Sequence, residues 1–325
     1  MARILVPGGA GYIGSHVVRS LLDGGNQVVV LDNLSTGFAV AVDPRARLER
    51  LDLADTARVD ALLASESFDA VIHFAASSVV PESMSDPLKY YLNNTANTAS
   101  LLRSCVENGV SHIVFSSTAA VYGIPDGGIA RESGPTAPIN PYGSSKLMIE
   151  WMLRDVAAAC NLTYVALRYF NVAGASRDRS LGERTEPATH LVKVAAQAAL
   201  GRRDGMTLFG TDYDTPDGTC LRDYIHVEDL CTAHLLALSY LMDGGRSEVL
   251  NCGYGHGSSV RQVLQTMRTV SGSDFEIRED GRRAGDPPRL IAEADRIRQV
   301  LGWKPDLDDL TEICTSAWQF EARLT

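Results

Sequence analysis

Tyr142 and Lys146, in the run Tyr142-Gly-Ser-Ser-Lys146, set a phenol four residues ahead of an ammonium where a helical pattern begins. That spacing is close to one helical turn, so both side chains share a face and reach a common point. A phenol titrates near pH ~10 and is a poor base at neutrality, but an adjacent cation favours the phenolate and brings it toward the working pH. The chemistry on offer is removal of a hydroxyl proton. An ordinary tyrosine and lysine on a solvated helix have the same spacing. Lysine is scarce here, however, with Lys89, Lys146, Lys193 and Lys304 the only four in the chain.

The elements that must position this pair begin at the N-terminus. Arg3-Ile-Leu-Val6 is a short apolar run, followed by Gly8, Gly11 and Gly14 in GGAGYIG. A helical pattern then covers Ile13 to Leu22, and a second run, Val28-Val-Val-Leu31, ends at Asp32. Strand, glycine turn, helix and strand in that order form a dinucleotide cradle: the glycines let backbone approach a pyrophosphate, whose charge suits the free N–H groups of the helix start. Asp32, 18 residues past Gly14, stands where an acid accepts hydrogen bonds from an adenosine ribose and repels a 2′-phosphate, which favours NAD over NADP. Asp-Asn is also good turn chemistry, and Asp32 fits that reading as well.

The chain has 325 residues, 45% of them apolar and 22% charged, in the range of an ordinary globular protein with one large core and a second lobe. Its net charge of −10 argues against nucleic acid or an anionic membrane as partner. No apolar run approaches the ~18 residues of a membrane span, and a strand at the third residue leaves no room for a signal peptide. Cys105, Cys160, Cys220, Cys231, Cys252 and Cys314 are scattered without C-x-x-C pairs, as in reduced thiols of a cytoplasmic protein rather than a zinc site or disulfide frame.

Strand-like runs at Ile4–Val6, Val28–Leu31, Leu48–Leu51, Ala70–Phe74, Ile113–Ser116 and Tyr164–Leu167 alternate with helical patterns near 57–65, 89–108 and 143–159. This rhythm predicts an α/β, doubly wound Rossmann-type parallel sheet, with ligands beyond the carboxyl ends of its strands. After Arg168 the rhythm loosens into stretches rich in Gly, Pro, Asp and Arg around a helix near 190–200. The expected division is an NAD-binding domain over 1–170 and a smaller α/β substrate lobe over 171–325, with about 222–240 packing back on the first.

Taken in order, GGAGYIG, Asp32-Asn33-Leu34, VIHFAA (71–76), VFSSTAAVYG (114–123), NPYGSSK (140–146), LRYFNVAGA (167–175), DYDTPDGTCLRDYIHVEDL (212–230) and RRAGDPP (282–288) resemble the UDP-galactose 4-epimerases of the extended short-chain dehydrogenase/reductase family. The resemblance runs from the first strand to about Trp303. The Y-x-x-x-K and glycine motifs mark the superfamily, whereas the DYDTPDGT…RDYIHVEDL block is more specific to the 4-epimerases.

The resemblance implies a UDP-sugar substrate, NAD as hydride acceptor, Tyr142 as base for the sugar 4-hydroxyl, and Lys146 holding the nicotinamide ribose and, with the positive nicotinamide, lowering the tyrosine pKa. It also implies that the 4-keto sugar swings about its diphosphate and takes the hydride back on its other face. Thr118 is expected to share a hydrogen bond with that hydroxyl; as a strand-end residue it also suits a backbone cap. The resemblance assigns the cofactor to Gly8, Gly11, Tyr12, Ile13, Gly14, Asp32, Asn33, Leu34, Ser35, Thr36, Gly37, Asp52, Leu53, Phe74, Ala75, Ala76, Asn93, Ser116, Tyr142, Lys146 and Phe170. It assigns the nucleotide sugar to Thr118, Tyr142, Asn171, His190, Leu191, Thr207, Leu208, Phe209, Arg222, Arg283, Asp286 and Leu290. Arginine forks suit a diphosphate, though an isolated arginine is more often a solvated surface charge. Phe209 also reads as packing, Asp286 as a turn residue before Pro287, and His190 as a helix-start residue.

Ala119-Ala120 stand where related dehydratases need an Asp-Glu pair, which favours pure epimerisation. Pro7 replaces the usual threonine before the glycine loop, Ser77-Ser78 a lysine near the cofactor, and Ala284 a proline. Leu290 replaces a large tyrosine bordering the sugar's 2-substituent, leaving room for an N-acetyl group. Other readings are a 4-epimerase of a UDP-N-acetylhexosamine, UDP-pentose or UDP-hexuronate, or a catalytically idle nucleotide-binding protein. Apolar positions on several faces of the helices near 89–108 and 143–159 fit the family's homodimer.

Overall fold

Ile4, Leu5 and Val6 of strand β1 (Arg3–Pro7) are all fully buried, but toward opposite sides. Ile4 and Val6 join a core with Val28, Val30, Ile72, Val114, Val165 and Leu167. Leu5 joins a second core with Val29, Leu31, Val71, Ile113, Phe115 and Ala166. Apolar burial on both faces of alternating side chains requires a sheet covered by helices above and below. The computed structural model, which describes residues 1–283 and 285–324, has that arrangement.

The sheet comprises β1, β2 (Gln27–Asp32), β3 (Arg47–Arg50), β4 (Ala70–His73), β5 (His112–Ser116), β6 (Thr163–Tyr169) and β7 (Glu248–Cys252). Their spatial order is β7-β6-β5-β4-β1-β2-β3, with every pairing parallel. Helices α1 (Tyr12–Asp23) and α6 (Val227–Met242) cover the first core. Helices α2 (Thr56–Ser65), α3 (Asn97–Glu107) and α4 (Pro141–Ala159) cover the second. The order reverses between β1 and β4, so the crevice at their carboxyl ends is the place for a ligand.

The expected strands and helices are present within one or two residues. The pattern near 89–108 is not one α-helix, however: a short helix at Pro87–Tyr90 passes into a π-helix over Tyr91–Ala96 before α3. The wider turn sets Asn94 inward, fully buried, where its amide meets the Ser77 carbonyl and Ser145 Oγ, each at 3.0 Å. Inserted π turns often lie at functional sites.

The chain crosses the expected division at residue 170 in both directions. Helix α6 and strand β7 belong to the first layer, α6 against α1 and β7 beside β6. In the other direction, Ile129–Ala130 leaves the first half to pair with Arg289–Ala292. The smaller lobe packs α5 (Leu191–Ala199), α7 (Val260–Ser271) and α8 (Leu310–Arg323) together, and its apolar residues continue the first core without a break. The chain crosses between layers repeatedly, which fixes the lobe over the carboxyl edge of the sheet.

Candidate functional site

Helix α1 is preceded by Gly11, which offers no side-chain cap, and among the described residues no carbonyl takes up the N–H groups of Tyr12, Ile13 and Gly14. These orphan donors at the positive end of a helix suit an anion such as a pyrophosphate. Gly14 is required by packing: a Cβ there would lie 2.4 Å from the Gly8 carbonyl oxygen. At the end of β2, Asp32 is buried and accepts from the Ala10 N–H at 3.0 Å and the Leu34 N–H at 2.8 Å. Burial raises its pKa and those two N–H groups oppose the rise. Each oxygen retains a lone pair for a ribose hydroxyl. The donor-rich turn followed by a fixed acceptor fits a dinucleotide.

A cleft of about 940 Å³ runs from this turn along the sheet edge to the smaller lobe. Every residue expected at the cofactor lines it except Leu34, whose backbone, with φ 60°, is spent holding Asp32. Asn93 lines the cleft while donating to Ser77 Oγ at 3.1 Å.

Thr118, Tyr142 and Lys146 meet midway along the same cleft. Asn140 caps α4 by accepting from the Gly143 N–H at 2.8 Å, and Pro141 occupies the first turn, so Tyr142 leaves the helix start toward the end of β5. Gly143 allows that approach: a Cβ there would lie 2.5 Å from the Ala120 carbonyl oxygen. Thr118 caps backbone at the end of β5. Its Oγ1 accepts from the Ala120 N–H at 3.1 Å, and the hydroxyl also faces the Tyr142 phenol.

Among this chain's own groups, Lys146 is not one that draws the phenol down; the expected lowering is shared with the positive nicotinamide. Burial raises the Tyr142 pKa, with the Thr118 hydroxyl as the opposing influence. The Lys146 ammonium is spent on the Ser116 carbonyl at 2.8 Å, and desolvation lowers its own pKa to about 7. Two hydroxyl groups, Ser116 Oγ and Tyr169 Oη, bond directly beside it.

Below this group lies a buried polar network. Arg168 grips Glu150 through Nε at 2.9 Å and Nη2 at 2.5 Å, Ser117 donates to Glu150 at 2.5 Å, and Arg168 Nη1 donates to Tyr122 Oη at 2.9 Å. Glu150 sits one turn beyond Lys146 on α4, so the network clamps that helix to the ends of β5 and β6.

Of the residues expected at the nucleotide sugar, Asn171, His190, Leu191 and Leu290 line the cleft with Thr118 and Tyr142. Thr207, Leu208, Phe209, Arg222, Arg283 and Asp286 do not. Thr207, Leu208 and Phe209 lie in the strand Met206–Phe209, where Leu208 faces the core. Arg222 Nη2 donates to Asp286 Oδ1 at 2.6 Å, and the Arg283 guanidinium lies 4.4 Å from the Phe209 ring centre. Arg222 is thus paired within the chain, whereas Arg283 lies over an aromatic ring, a contact that leaves its N–H groups free to donate. Ala284, read as a replacement for proline, lies outside the described residues.

Sequence reasoning passed over Tyr169, Glu183, Glu186 and Lys193, all of which line the cleft. Tyr169 was visible inside LRYFN beside Phe170. Glu183 and Glu186 stand in an irregular loop and carry no local signal. Lys193 is one of four lysines yet is buried on α5, and that scarcity was the available clue.

Residues 4–253 match the NAD dependent epimerase/dehydratase family. The chain is 54% identical over 322 residues to the UDP-glucose 4-epimerase of Azospirillum brasilense, covering 99% of this chain and 92% of that protein. Its fold superposes on a solved UDP-glucose 4-epimerase with a TM-score of 0.97 at 45% identity, covering 99% and 98% of the two chains. A UDP-Glc/GlcNAc 4-epimerase from Campylobacter jejuni gives a TM-score of 0.89 at 50% identity, covering 99% and 100%.

Proposed function

This chain belongs to the NAD dependent epimerase/dehydratase family, and on that premise we propose that it interconverts UDP-galactose and UDP-glucose by NAD-dependent 4-epimerisation. The observation that carries the reading is continuity: one cleft joins the dinucleotide cradle to Thr118, Tyr142 and Lys146 and goes on to Asn171, Leu191 and Leu290.

The chemistry that bound NAD supplies is acceptance of a hydride from C4 of the sugar and its return. Gly8, Gly11, Tyr12, Ile13 and Gly14 hold the pyrophosphate, Asp32 the adenosine ribose, and Lys146 the nicotinamide ribose. Tyr142 takes the proton of the 4-hydroxyl and gives it back at the opposite configuration, while Thr118 orients that hydroxyl. With its pKa raised by burial the phenol holds its proton at neutral pH, so it gains from the positive nicotinamide that arrives with the cofactor. Ala119 and Ala120 offer no acid beside C5 and C6, which supports epimerisation over elimination of water.

Leu290 favours a second reading, tolerance of N-acetylated sugars, because a leucine at the sugar's 2-position leaves space that a tyrosine fills. Among the described residues no helix is long and apolar enough to cross a membrane, and all six cysteines are free, which supports a reducing, cytoplasmic setting. Leu88, Leu92 and Trp151 are large, apolar and exposed on neighbouring helices, which supports a homodimer.

The test is conversion of UDP-galactose to UDP-glucose by purified protein, with and without Tyr142→Phe. The variant is expected to lose about 10³-fold or more in turnover while keeping its NAD. An unaffected variant sinks the mechanism. Retained nucleotide binding with no conversion of any UDP-sugar would leave the idle nucleotide-binding protein.

A further inference from the structure

Ahead of α5, Glu183 and His190 form a carboxylate–imidazole pair that the steps above do not use. Glu183 Oε1 lies 2.6 Å from His190 Nδ1. The Glu183 side chain is nearly buried, whereas the His190 ring is half exposed, and both residues line the cleft. Among the described residues, nothing bonds to the Nε2 edge of the ring.

The charged and polar groups around the pair come from α5, the loop itself, α8 and α1. Lys193 of α5 donates to the Glu183 carbonyl oxygen at 3.0 Å, leaving the carboxylate to His190. Its ammonium is matched instead by Glu186 of the same loop at 3.2 Å and Glu321 of α8 at 3.8 Å. From α1, Tyr12 stands near Glu183, its phenol donating to the Gly174 carbonyl at 2.6 Å. Glu321 is held in turn by Arg202 at 3.0 Å. The loop is therefore pinned by its backbone, and the free end of the assembly is the imidazole.

We infer that Glu183 is a positioning residue for nucleotide-sugar binding: it holds the His190 imidazolium by Nδ1–H and presents Nε2–H to a phosphate oxygen of the substrate's diphosphate. The inference rests on the UDP-sugar reading above. A diphosphate diester is the only anion that substrate carries, and a charged N–H donor is the group a half-buried wall can offer it. Neutral imidazole held in the same way by Glu183 would turn Nε2 into an acceptor facing an acceptor.

The protonation balance supports this arrangement. Burial works against the imidazolium and Lys193 repels it, yet the hydrogen bond and charge of Glu183 outweigh both and leave the His190 pKa raised above 6.5. The contact is then complete below that raised value and is lost as pH rises through it. UDP-galactose has no group that titrates in the same range, so the pH dependence belongs to the protein.

The experiment is a pH series of kcat and KM for UDP-galactose in wild type, Glu183→Gln and His190→Asn. It is paired with calorimetric binding of UDP-galactose to the Tyr142→Phe protein, which does not turn it over. Wild type is expected to show KM rising about tenfold from about pH 6 to about pH 8.5, with the calorimetric affinity falling in parallel. Glu183→Gln should move that inflection to lower pH and raise KM at about pH 7.5 by about three- to tenfold, with a smaller change in kcat. His190→Asn, whose amide donates at every pH, should flatten the profile. A Glu183→Gln enzyme with wild-type KM and a wild-type profile overturns the inference, as does one that loses kcat at constant KM. Normal turnover with a flat wild-type profile overturns the Glu183–His190 pair alone. Neither turnover nor binding of UDP-galactose at any pH overturns the UDP-sugar reading together with it.

Discussion

The Lys146 ammonium donates to the Ser116 carbonyl oxygen at 2.8 Å, tying the helix that carries Tyr142 to the last residue of β5. It also lies 4.9 Å from the centre of the Phe115 ring, so its stem and charge are enclosed by the sheet edge. A lysine so placed is costly to the fold. Its retention is explained by what it does for a ligand.

That cost predicts a pH-dependent trade. The Lys146 pKa is lowered to about 7 from 10.5, so between those values the unfolded chain binds more protons than the folded one. Stability of the cofactor-free protein from this group therefore rises with pH across that window, and the penalty is complete below it. Lys146→Met should melt higher than wild type near about pH 6 to 7, with the gap closing toward about pH 9, while turnover is lost throughout. Thermal melts across pH, with parallel assays, read both. Coincident melting curves at all pH values would contradict the account.

Gly14→Ala tests the cradle. The added methyl meets the Gly8 carbonyl oxygen at 2.4 Å and the Gly9 Cα at 2.9 Å, both backbone atoms that cannot swing aside. The variant should lose about 1–3 kcal/mol of stability and most of its bound NAD. Nucleotide released from equal amounts of denatured wild type and variant measures the second effect. Full NAD content in the variant would show that the turn is not the pyrophosphate site.

How far these features were legible in the sequence depended on the range of the interactions. Strands such as Val28–Leu31 announce themselves because they are buried on both faces. Glu248–Cys252 does not, since it carries Glu248 and Asn251. Asn251 is nonetheless buried, accepting from Tyr122 Oη at 2.7 Å and donating to the Ala130 carbonyl at 2.9 Å. Its burial depends on partners more than a hundred positions away. Likewise, the pairing of Arg222 with Asp286 spans 64 residues, and only the fold brings the two to 2.6 Å. The glycine turn and the start of α4 were readable because Gly14 and Asn140 act within a few residues of themselves.

Leu290→Tyr tests the space beside the sugar. Leu290, like Phe170, packs against a small apolar cluster that includes Tyr122 and Leu147, and it lines the cleft. A tyrosine in its place projects farther toward the ligand. Turnover of UDP-N-acetylgalactosamine should fall by about tenfold or more, while that of UDP-galactose changes by less than about threefold. Equal losses for both sugars would show that Leu290 does not border the 2-substituent.

Leu92→Glu tests assembly. Leu88, just before the π turn, and Leu92, within it, are 68% and 64% exposed, and Trp151, on α4, is 47% exposed. Full burial of such side chains contributes about 1.5–3 kcal/mol each, so leaving three uncovered on adjacent helices forfeits a driving force that a second copy can satisfy. Wild type is expected to sediment as a dimer. Leu92→Glu places a charge in the seam and should raise the dimer dissociation constant by about 10²-fold, and Leu92→Glu with Trp151→Glu should be monomeric at micromolar concentration. Tyr142 lies on the opposite, inward side of α4, where its ring meets buried Tyr90 at 6.4 Å between centres. The monomer should thus keep its NAD while losing part of its thermal stability. A wild-type protein that sediments as a monomer would overturn this assignment of the three residues.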